Sequence, residues 1–247
     1  MEAFDLSGRT YLVTGASSGL GRACAVMMSR LGASVVLTAR RSDELARTRE
    51  LLRPGPSHRV IAGDLADADF VARLVREAGP LDGLVHAAGD CAALPVAAAD
   101  VASVESALRV NYVAFMQLMR HYARPVNARA GFSAVAIASV AAEAGWAGGS
   151  LYAASKGALC AAVRSLAVEL APRARVNAVC PGNIRTPLYA ELAELAGADA
   201  RAKLAARQLL GLGEPEQVAG PVCFLLSAAA SFITGVCLPV DGGYLAN

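Results

Sequence analysis

TYLVTGASSGLG, residues 10–21, joins a short apolar run to a turn that contains three glycines. The run predicts a buried strand, and the segment after the turn predicts a helix that begins near Leu20. Gly15, Gly19 and Gly21 let the backbone approach a phosphate closely, and the free amides of a helix start favour an anion there. The spacing is G-x-x-x-G-x-G rather than G-x-G-x-x-G, but its place between a first strand and a first helix favours dinucleotide binding.

The same alternation of apolar runs and amphipathic segments continues along the chain. Strands are predicted at 10–15, 34–40, 59–64, 81–89, 133–139, 175–181 and 235–241. Helices are predicted at 19–31, 42–52, 67–78, 100–127, 151–172 and 214–228. The strands are continuous Val, Ala and Leu runs, which is typical of a parallel sheet covered on both faces. We therefore predict an α/β fold, a doubly wound seven-stranded parallel sheet in a single Rossmann-type domain over residues 1–247.

Residues 183–213 interrupt this alternation. Two helix-like pieces, rich in Leu and Ala, stand between the sixth strand and the next main helix. An insertion of this kind is a candidate helical substrate lid.

Composition excludes several classes of function. The net charge is +2 and the arginines are dispersed, so we expect no nucleic-acid partner. The six cysteines have no C-x-x-C spacing, which indicates buried thiols in a reducing compartment and no metal site. The acidic N-terminus does not resemble a secretory signal, and no apolar run approaches the ~20 residues of a membrane span. We expect a cytoplasmic protein.

Tyr152 and Lys156 are the candidate reactive pair. They stand four apart in a helix-like segment, so both side chains leave from one face. An ammonium beside a phenol favours the phenolate, and a drop of about two to three pH units in the pKa of Tyr152 would let it exchange a proton near neutral pH. The alternative is that Tyr152 packs in a core and Lys156 is a surface charge. Only Lys156 and Lys203 among 23 basic residues are lysines, which favours a specific need for the smaller cation.

Arg40 and Arg41 follow the second strand, where a NAD-binding fold usually offers a carboxylate to the ribose 2′-hydroxyl. The nearest acid, Asp43, is expected to start the next helix. A guanidinium suits a 2′-phosphate, so the prediction is NADP(H) in preference to NAD(H). The alternative is that both arginines are solvated loop residues.

Two further strand ends carry candidate cofactor contacts. Asp64, beside Leu65, can accept from an adenine amino group or cap the helix at 67–78. In the HAAG segment at 86–89, small side chains would let a cofactor lie against the backbone. His86 in that segment is expected to be a hydrogen-bonded core residue.

Taken in order, these motifs resemble the single-domain short-chain dehydrogenase/reductase family. The resemblance runs from TGASSGLG through HAAG, RVNYV, YAASK and PGNIRTP to the terminal VDGGY. It implies a seven-stranded Rossmann-type fold, NAD(P)(H) and a homotetramer or homodimer, with contacts through helices near 100–127 and 151–172 and the last strand. His86 and Ala87 depart from the usual NNAG, which could change hydrogen bonding at the strand end, and Leu20 stands where Ile is commoner.

Carried over by position, the resemblance implies roles for particular residues. Tyr152 would be the acid/base, Lys156 its electrostatic partner and ribose ligand, and Ser139 the group that holds the substrate carbonyl. Asn111 would support a water chain to the lysine. The implied cofactor contacts are Gly15, Ser17, Ser18, Gly19, Leu20, Gly21, Arg40, Arg41, Asp64, Leu65, Ala87, Ala88, Gly89, Tyr152, Lys156, Pro181, Gly182, Ile184 and Thr186.

For the substrate, Trp146, Leu188 and Tyr189 offer apolar walls near the expected entry. They suit an apolar or acyl-chain ketone, although a packed lid would show the same residues. The chain is most similar to 3-oxoacyl-[acyl-carrier-protein] reductases and related ketoreductases, which predicts reduction of a β-ketoacyl thioester. Arg124, Arg129 and Arg173 lie on segments near where an acidic acyl carrier protein docks in those reductases, and the alternative is that they are there by chance, since 21 arginines are spread over the chain. A secondary-alcohol, steroid or polyol dehydrogenase would share the same motifs. A non-catalytic NADP(H)-binding regulator is a further alternative, which the complete set of Asn111, Ser139, Tyr152 and Lys156 argues against.

Overall fold

A computed structural model describes residues 2–91, 93–196 and 207–247 of the chain. Within these residues, seven strands form one parallel sheet in the order β3-β2-β1-β4-β5-β6-β7. The strands are β1 Thr10–Thr14, β2 Ser34–Thr38, β3 Arg59–Val60, β4 Leu81–His86, β5 Ala128–Ile137, β6 Ala174–Pro181 and β7 Cys237–Val240. The order reverses between β1 and β4, and a crevice at such a point is where open α/β sheets bind ligands.

Helices cover both faces of the sheet. They are α1 Gly19–Arg30, α2 Ser42–Glu50, α3 Ala68–Ala78, α4 Val101–Leu108, α5 Ala114–Tyr122, α6 Ser150–Leu170, α7 Pro187–Ala196 and α8 Pro215–Leu226. One core packs α3, α5 and α6 against the sheet, and a second packs α1, α2 and α8 against the other face. The predicted doubly wound parallel sheet is therefore confirmed. None of the helices in the described ranges is long and apolar enough to cross a bilayer.

Three predicted elements have different bounds in the structure. The strand expected at 59–64 is regular only over Arg59–Val60, although the amides of Ile61 and Gly63 still donate to the carbonyls of Leu37 and Ala39, in and just after β2. β5 begins at Ala128, earlier than expected. The helix expected at 100–127 is interrupted by a π-turn at Arg109–Val113, which separates α4 from α5. Such turns are rare and are frequent near functional sites.

The expected lid at 183–213 falls partly outside the described residues. α7 occupies Pro187–Ala196, in agreement with one of the two helix-like pieces. Residues 197–206 lie outside the described ranges, so the lid remains a prediction.

The turn after β1 packs directly against the segment after β4. Gly15 has φ +63°, and a Cβ there would lie 2.6 Å from the carbonyl oxygen of Ala87. A Cβ on Gly21 would run into the backbone carbonyl of Gly15. Side chains are excluded at both positions because strand, turn and helix meet at backbone distance.

His86, at the end of β4, joins β1, β4 and the π-turn. The Thr14 hydroxyl accepts from the amides of Ala87 and Ala88, so its one proton is available for His86 Nδ1, 3.1 Å away. His86 Nε2 then carries the ring proton and donates to the Val110 carbonyl at 3.2 Å. Burial lowers the pKa of His86 to about 3, so the ring stays neutral. This geometry agrees with the expectation that His86 is a hydrogen-bonded core residue. The contacts of His86 with Thr14 and Val110 are the hydrogen bonds at the end of β4 that its departure from the usual NNAG segment affects.

Replacing His86 with Leu should destabilise the fold by about 1–3 kcal/mol, because a buried donor and a buried acceptor lose their partner. Thermal or urea unfolding measures the change. Since the pKa of His86 is depressed from 6.5, the wild type loses this residue's contribution as pH falls from 6.5 towards 3, and the variant should lack that loss. His121→Leu, at a less buried position on α5, is the matched control. Equal stability of His86→Leu and the wild type would refute the role of this network.

Candidate active site

A cleft of about 1080 Å³ opens at the carboxyl ends of the strands. Its lining includes residues from the predicted cofactor-binding, catalytic and substrate-binding segments. Its predicted cofactor-binding lining is Gly15, Ser17, Ser18, Gly19, Leu20, Gly21, Arg40, Arg41, Asp64, Leu65, Ala87, Ala88, Gly89, Pro181, Gly182, Ile184 and Thr186. Ser139, Trp146, Tyr152, Lys156, Leu188 and Tyr189 line it as well, whereas Asn111 does not.

The glycine turn at one end of the cleft is braced from behind. Arg22 donates to the Ser17 carbonyl and pairs with Glu44 at 2.7 Å. The Thr48 hydroxyl, on α2, donates to the carbonyl of Ala16 at 2.9 Å. Because these carbonyls are held by the protein, the amides at the start of α1 are left to face the cleft, as an anion site requires.

Arg40 and Arg41 lie beside this turn, on the exposed rim of the cleft. Arg41 Nη2 is 3.4 Å from Ser17 Oγ and 3.3 Å from Ser18 Oγ, so its guanidinium stands over the turn. Asp43 lies in the first turn of α2, as expected, and its carboxylate accepts from Ser42. The rim therefore presents positive charge where a dinucleotide would place its ribose.

Asp64 does not cap the following helix. The α3 cap is Asp67, whose side chain accepts from the Asp69 amide at 2.9 Å. Asp64 instead accepts from the Ala66 amide at 2.9 Å and lines the cleft beside Leu65. Of the two interpretations of Asp64, the helix cap is wrong.

The residues present fit a dinucleotide cofactor. Gly15, Gly19 and Gly21 line the cleft without a side chain, so a phosphate can approach the backbone of the turn closely. At the other end, a Cβ on Gly89 would lie 2.8 Å from Asn111 Oδ1 and 3.4 Å from Lys156 Nζ. Helix-start amides that suit a diphosphate, a guanidinium rim that suits a ribose phosphate and a backbone-lined floor at Gly89 all line the same cleft.

Ser139, Tyr152 and Lys156 meet in the middle of the cleft. Ser139 lies two residues beyond the end of β5; its side chain accepts from the Ala141 amide at 3.1 Å and is close enough to Tyr152 to lower the pKa of the phenol. Tyr152 and Lys156 lie one turn apart on α6, and the ammonium stands 5.6 Å from the phenol ring centre. Lys156 is 5% exposed and donates to the Ile137 carbonyl at 2.8 Å. The alternative of a core tyrosine with a surface lysine is wrong.

The direction of the Tyr152 pKa differs from the expectation. Burial raises the pKa of Tyr152 above its usual value, and the Cys91 thiol adds to that, while the Ser139 hydrogen bond lowers it. Burial also lowers the pKa of Lys156 to about 8, so the lysine loses its charge before the phenol ionises. In the protein alone Tyr152 is therefore held as a proton donor, and the expected drop in its pKa is not observed.

Asn111 lies behind the cleft, within the π-turn. Its Oδ1 accepts from the Asp90 amide, and its Nδ2 donates to the Asp90 carbonyl and to Ser155 Oγ, each at 2.9 Å. Ser155 in turn donates to the Tyr152 carbonyl at 2.7 Å. Asn111 thus connects the loop after β4 to the first turns of α6. Its expected role in a water chain to Lys156 stays a prediction.

The segment expected at the nicotinamide end of the cofactor is held by a residue that the sequence did not single out. Gln208 is 4% exposed; its Oε1 accepts from the Asn183 amide at 2.8 Å and its Nε2 donates to the Asn183 carbonyl at 3.1 Å. This clamp fixes the backbone between Gly182 and Ile184. A buried glutamine 25 residues away along the chain gives no local signal in the sequence.

The substrate end of the cleft is mostly apolar. The Trp146 ring lies 5.7 Å from the Tyr152 ring, and Leu188 and Tyr189 project from α7. Further lining residues, not named as site residues from the sequence, are Asp90, Cys91, Ala93, Leu94, Pro95, Val140, Ala141, Ala144, Ala147, Gly148, Glu191 and Tyr244. Tyr244 could have been found from the sequence, because it lies in the VDGGY segment, whose two glycines indicate a turn. In the structure this turn is closed by Asp241, which accepts from the amides of Gly243 and Leu245.

Within the described ranges, no group of three or more His, Cys, Asp or Glu side chains is arranged to hold a metal ion.

Comparison with known proteins agrees with this geometry. A family model described as enoyl-(acyl carrier protein) reductase matches residues 15–245. The chain is 39% identical to cis-4-hydroxycyclohexanecarboxylate dehydrogenase of Sinomonas cyclohexanicum, over 99% of each chain. It is 33% identical to a 3-oxoacyl-[acyl-carrier-protein] reductase of Rickettsia prowazekii, over 98% of each chain.

A solved structure shares the fold. It is a Beutenbergia cavernae protein assigned as an NAD(P)-dependent gluconate 5-dehydrogenase, with NADP bound at low occupancy. The two chains are 36% identical and superpose with a TM-score of 0.91 over 99% of this chain and 100% of that one. With the fold, the cleft and these similarities in agreement, the chain belongs to the short-chain dehydrogenase/reductase family of NAD(P)-dependent oxidoreductases.

Proposed function

We propose that this enzyme is an NADP(H)-dependent carbonyl reductase that acts on an apolar ketone, with a β-ketoacyl thioester as the best-fitting class. The observation that carries the proposal is the convergence of the Ser139 and Tyr152 hydroxyls beside the buried ammonium of Lys156. Two hydroxyl donors and one cation are what a ketone needs when its oxygen becomes an alkoxide.

Each of these residues has a distinct part in the proposed reaction. Ser139 and Tyr152 hydrogen-bond the substrate oxygen and so polarise the carbonyl. The bound nicotinamide supplies the hydride. Tyr152 gives its proton to the developing alkoxide, and Lys156 stabilises the phenolate left behind. Because burial keeps the phenol protonated, the resting protein is set for reduction, and the reverse steps would oxidise an alcohol.

The substrate class rests on the walls of the cleft. Trp146, Leu188 and Leu94 form apolar surface, which favours an acyl or cyclic ketone over a sugar. A second candidate is a secondary-alcohol or polyol dehydrogenase, because the relatives include a hydroxycyclohexanecarboxylate dehydrogenase. A steroid dehydrogenase shares the same motifs. The geometry of the three catalytic side chains argues against a non-catalytic regulator.

Docking of an acyl carrier protein on Arg124, Arg129 and Arg173 has weak support. These arginines lie at or before the amino ends of β5 and β6, whereas the cleft opens at the carboxyl ends, about 20–30 Å away. Arg129 is paired with Asp82 at 2.8 Å, and Arg173 donates to the Ala123 carbonyl at 3.2 Å. A carrier bound there would not face the cleft of the same chain, so we base the thioester proposal on the apolar walls alone.

We also propose a homotetramer or homodimer assembled through the long helices. Val101 and Val104 of α4, Val113 of the π-turn and Val168 of α6 are exposed by 74%, 40%, 43% and 82%. Exposed valines on neighbouring helices are typical of a surface that a second copy covers.

The six free thiols suit a reducing compartment, which supports the cytoplasm as the proposed location.

Replacing Tyr152 with Phe should lower kcat for ketone reduction by about 10²–10⁴-fold, because the proton donor is lost while the ring remains. NADPH affinity, measured by fluorescence titration, should stay within a few-fold of the wild type. Tyr122→Phe is the matched control, since the Tyr122 hydroxyl is buried on α5 with no partner among the described residues. A near-normal kcat for Tyr152→Phe would refute its role.

Replacing Arg41 with Ala should raise the KM for NADPH about tenfold or more and leave the KM for NADH nearly unchanged, because only NADPH carries the 2′-phosphate. Arg40→Asp should shift preference further, towards NADH. Arg47→Ala is the control, since Arg47 pairs with Glu44 and does not line the cleft. Equal changes for both coenzymes would contradict the NADP(H) assignment.

A substrate panel should favour apolar ketones. We expect kcat/KM about tenfold or more higher for a β-ketoacyl thioester on a small thiol than for a neutral sugar, because hydroxyls against apolar walls lose hydrogen bonds. The same acyl group attached to an acyl carrier protein tests whether that protein docks on the enzyme. We expect the same kcat/KM whether the acyl group is carried by the small thiol or by the carrier protein. A clear preference for the sugar would overturn the substrate class and support the polyol alternative.

A further inference from the structure

Three cysteine thiols meet beneath the active-site lysine. Cys160 lies on α6, Cys180 at the end of β6 and Cys237 at the start of β7. The sulfur atoms of Cys160 and Cys180 are 3.9 Å apart. The Cys237 thiol donates to the Cys160 carbonyl oxygen at 3.7 Å, and both other thiols are near enough to influence its ionisation. Residues far apart in the chain thus form one group of three sulfurs.

This group, which we call the thiol cluster, adjoins the catalytic centre. Cys160 follows Lys156 by four residues, so the two side chains leave one face of α6 about 5–6 Å apart. Cys180 directly precedes the Pro181–Gly182 segment that lines the cleft. Both sulfurs are close enough to Lys156 for their charge to act on it. A covalent change in the cluster would therefore reach two walls of the active site.

Reactivity is not equal within the thiol cluster. Cys160 and Cys180 are buried, whereas Cys237 is partly exposed, so a small oxidant reaches Cys237 first. Hydrogen bonds from the Cys160 and Cys180 thiols, with a smaller effect of Arg164, lower the pKa of Cys237. Burial raises the pKa of Cys91, in the cleft, to about 11, and that of Cys223, on the far side of the sheet, to about 12. The thiolate is the form of a cysteine that attacks a peroxide.

We propose that the thiol cluster is an oxidisable site, in which a hydroperoxide oxidises Cys237 and Cys160 then closes a Cys160–Cys237 disulfide that slows turnover.

The two steps balance. The Cys237 thiolate attacks one oxygen of hydrogen peroxide, an S–O bond forms, the O–O bond breaks, and the released hydroxide takes a proton to become water. Cys160 then attacks the Cys237 sulfur, an S–S bond forms, the S–O bond breaks, and the leaving hydroxide takes the Cys160 proton as a second water. Two thiols lose two electrons in total, and one peroxide gains them. Cys180 stays a thiol and donates to the Cys237 thiolate before the reaction.

Closing the disulfide would strain the active site. Cys237 Sγ now contacts the Cys160 carbonyl oxygen at 3.7 Å, and a disulfide requires the two sulfurs to approach to about 2.05 Å. The part of α6 that lies one helical turn from Lys156 would have to move towards β7 to bring the two sulfurs together. A displacement of about 1 Å at a catalytic group can lower the rate by about 10²-fold.

The test treats the full-length protein with hydrogen peroxide, removes the peroxide with catalase, and measures ketone reduction and disulfide content. The expected result is a loss of kcat of about tenfold or more, recovered with dithiothreitol. Peptide mass spectrometry should find Cys160 and Cys237 linked with the loss of two hydrogens. Cys160→Ala and Cys237→Ala should each keep their untreated activity after peroxide, and either variant serves if the other fails to fold.

Matched variants separate the thiol cluster from other cysteines. Cys24→Ala/Cys223→Ala removes two buried thiols from the opposite core and should remain peroxide-sensitive. Cys91→Ala tests oxidation in the cleft itself, and it too should remain sensitive when compared with its own untreated rate. Protection by Cys91→Ala, or a disulfide that omits Cys160 or Cys237, would overturn the proposal.

The activity readout rests on the proposed function, but disulfide mapping does not. If the Cys160–Cys237 disulfide were mapped in a protein that reduces no ketone, the proposed function would be refuted and the proposed oxidation site would be supported. Full ketone reductase activity in protein that carries the mapped bond would overturn the inferred effect on turnover.

Discussion

The burial of one ammonium group sets the conditions for the rest of the site. Lys156 is 5% exposed, and taking a charge out of water costs several kcal/mol unless nearby groups replace the water. The Ile137 carbonyl at the end of β5 supplies that replacement. The strand must therefore end beside the first turns of α6, and this requirement also delivers Ser139 to Tyr152. Proton donor, cation and hydroxyl are consequences of the same strand-to-helix junction.

Much of this arrangement could be predicted because it depends on short patterns of neighbouring residues in the sequence. The run at 10–14 has an apolar centre, Tyr11 to Val13, and is followed by Gly15, and both features have direct structural causes: burial on two faces and a positive φ. The spacing of Tyr152 and Lys156 fixes their common face as soon as the segment is a helix. Arg40 and Arg41 follow from the position of β2. In each case a few neighbouring residues contain the information.

Other features depend on contacts between distant segments, which local patterns do not contain. The π-turn at Arg109–Val113 reads as ordinary helix in the sequence, but Val110 and Asn111 are held by groups on β4, its following loop and α6. Gln208 clamps Asn183 from 25 residues away. The Tyr152 pKa was misjudged because helix spacing gives the distance to an ammonium but not the loss of water around the phenol. The attraction between Tyr152 and Lys156 depends on residues four apart in the sequence, whereas the burial of the phenol depends on segments far apart in the sequence.

The π-turn has a consequence for how this chain tolerates length changes. An α-helix advances about 100° per residue, so the wider turn acts as one residue's worth of slack between α4 and α5. A single-residue deletion there would restore continuous helix and leave Phe115 and Leu118 packed against the sheet, but it would remove the backbone geometry with which Val110 and Asn111 reach β4, its following loop and α6. The extra residue therefore serves the contacts around the cleft rather than the packing of the two helices.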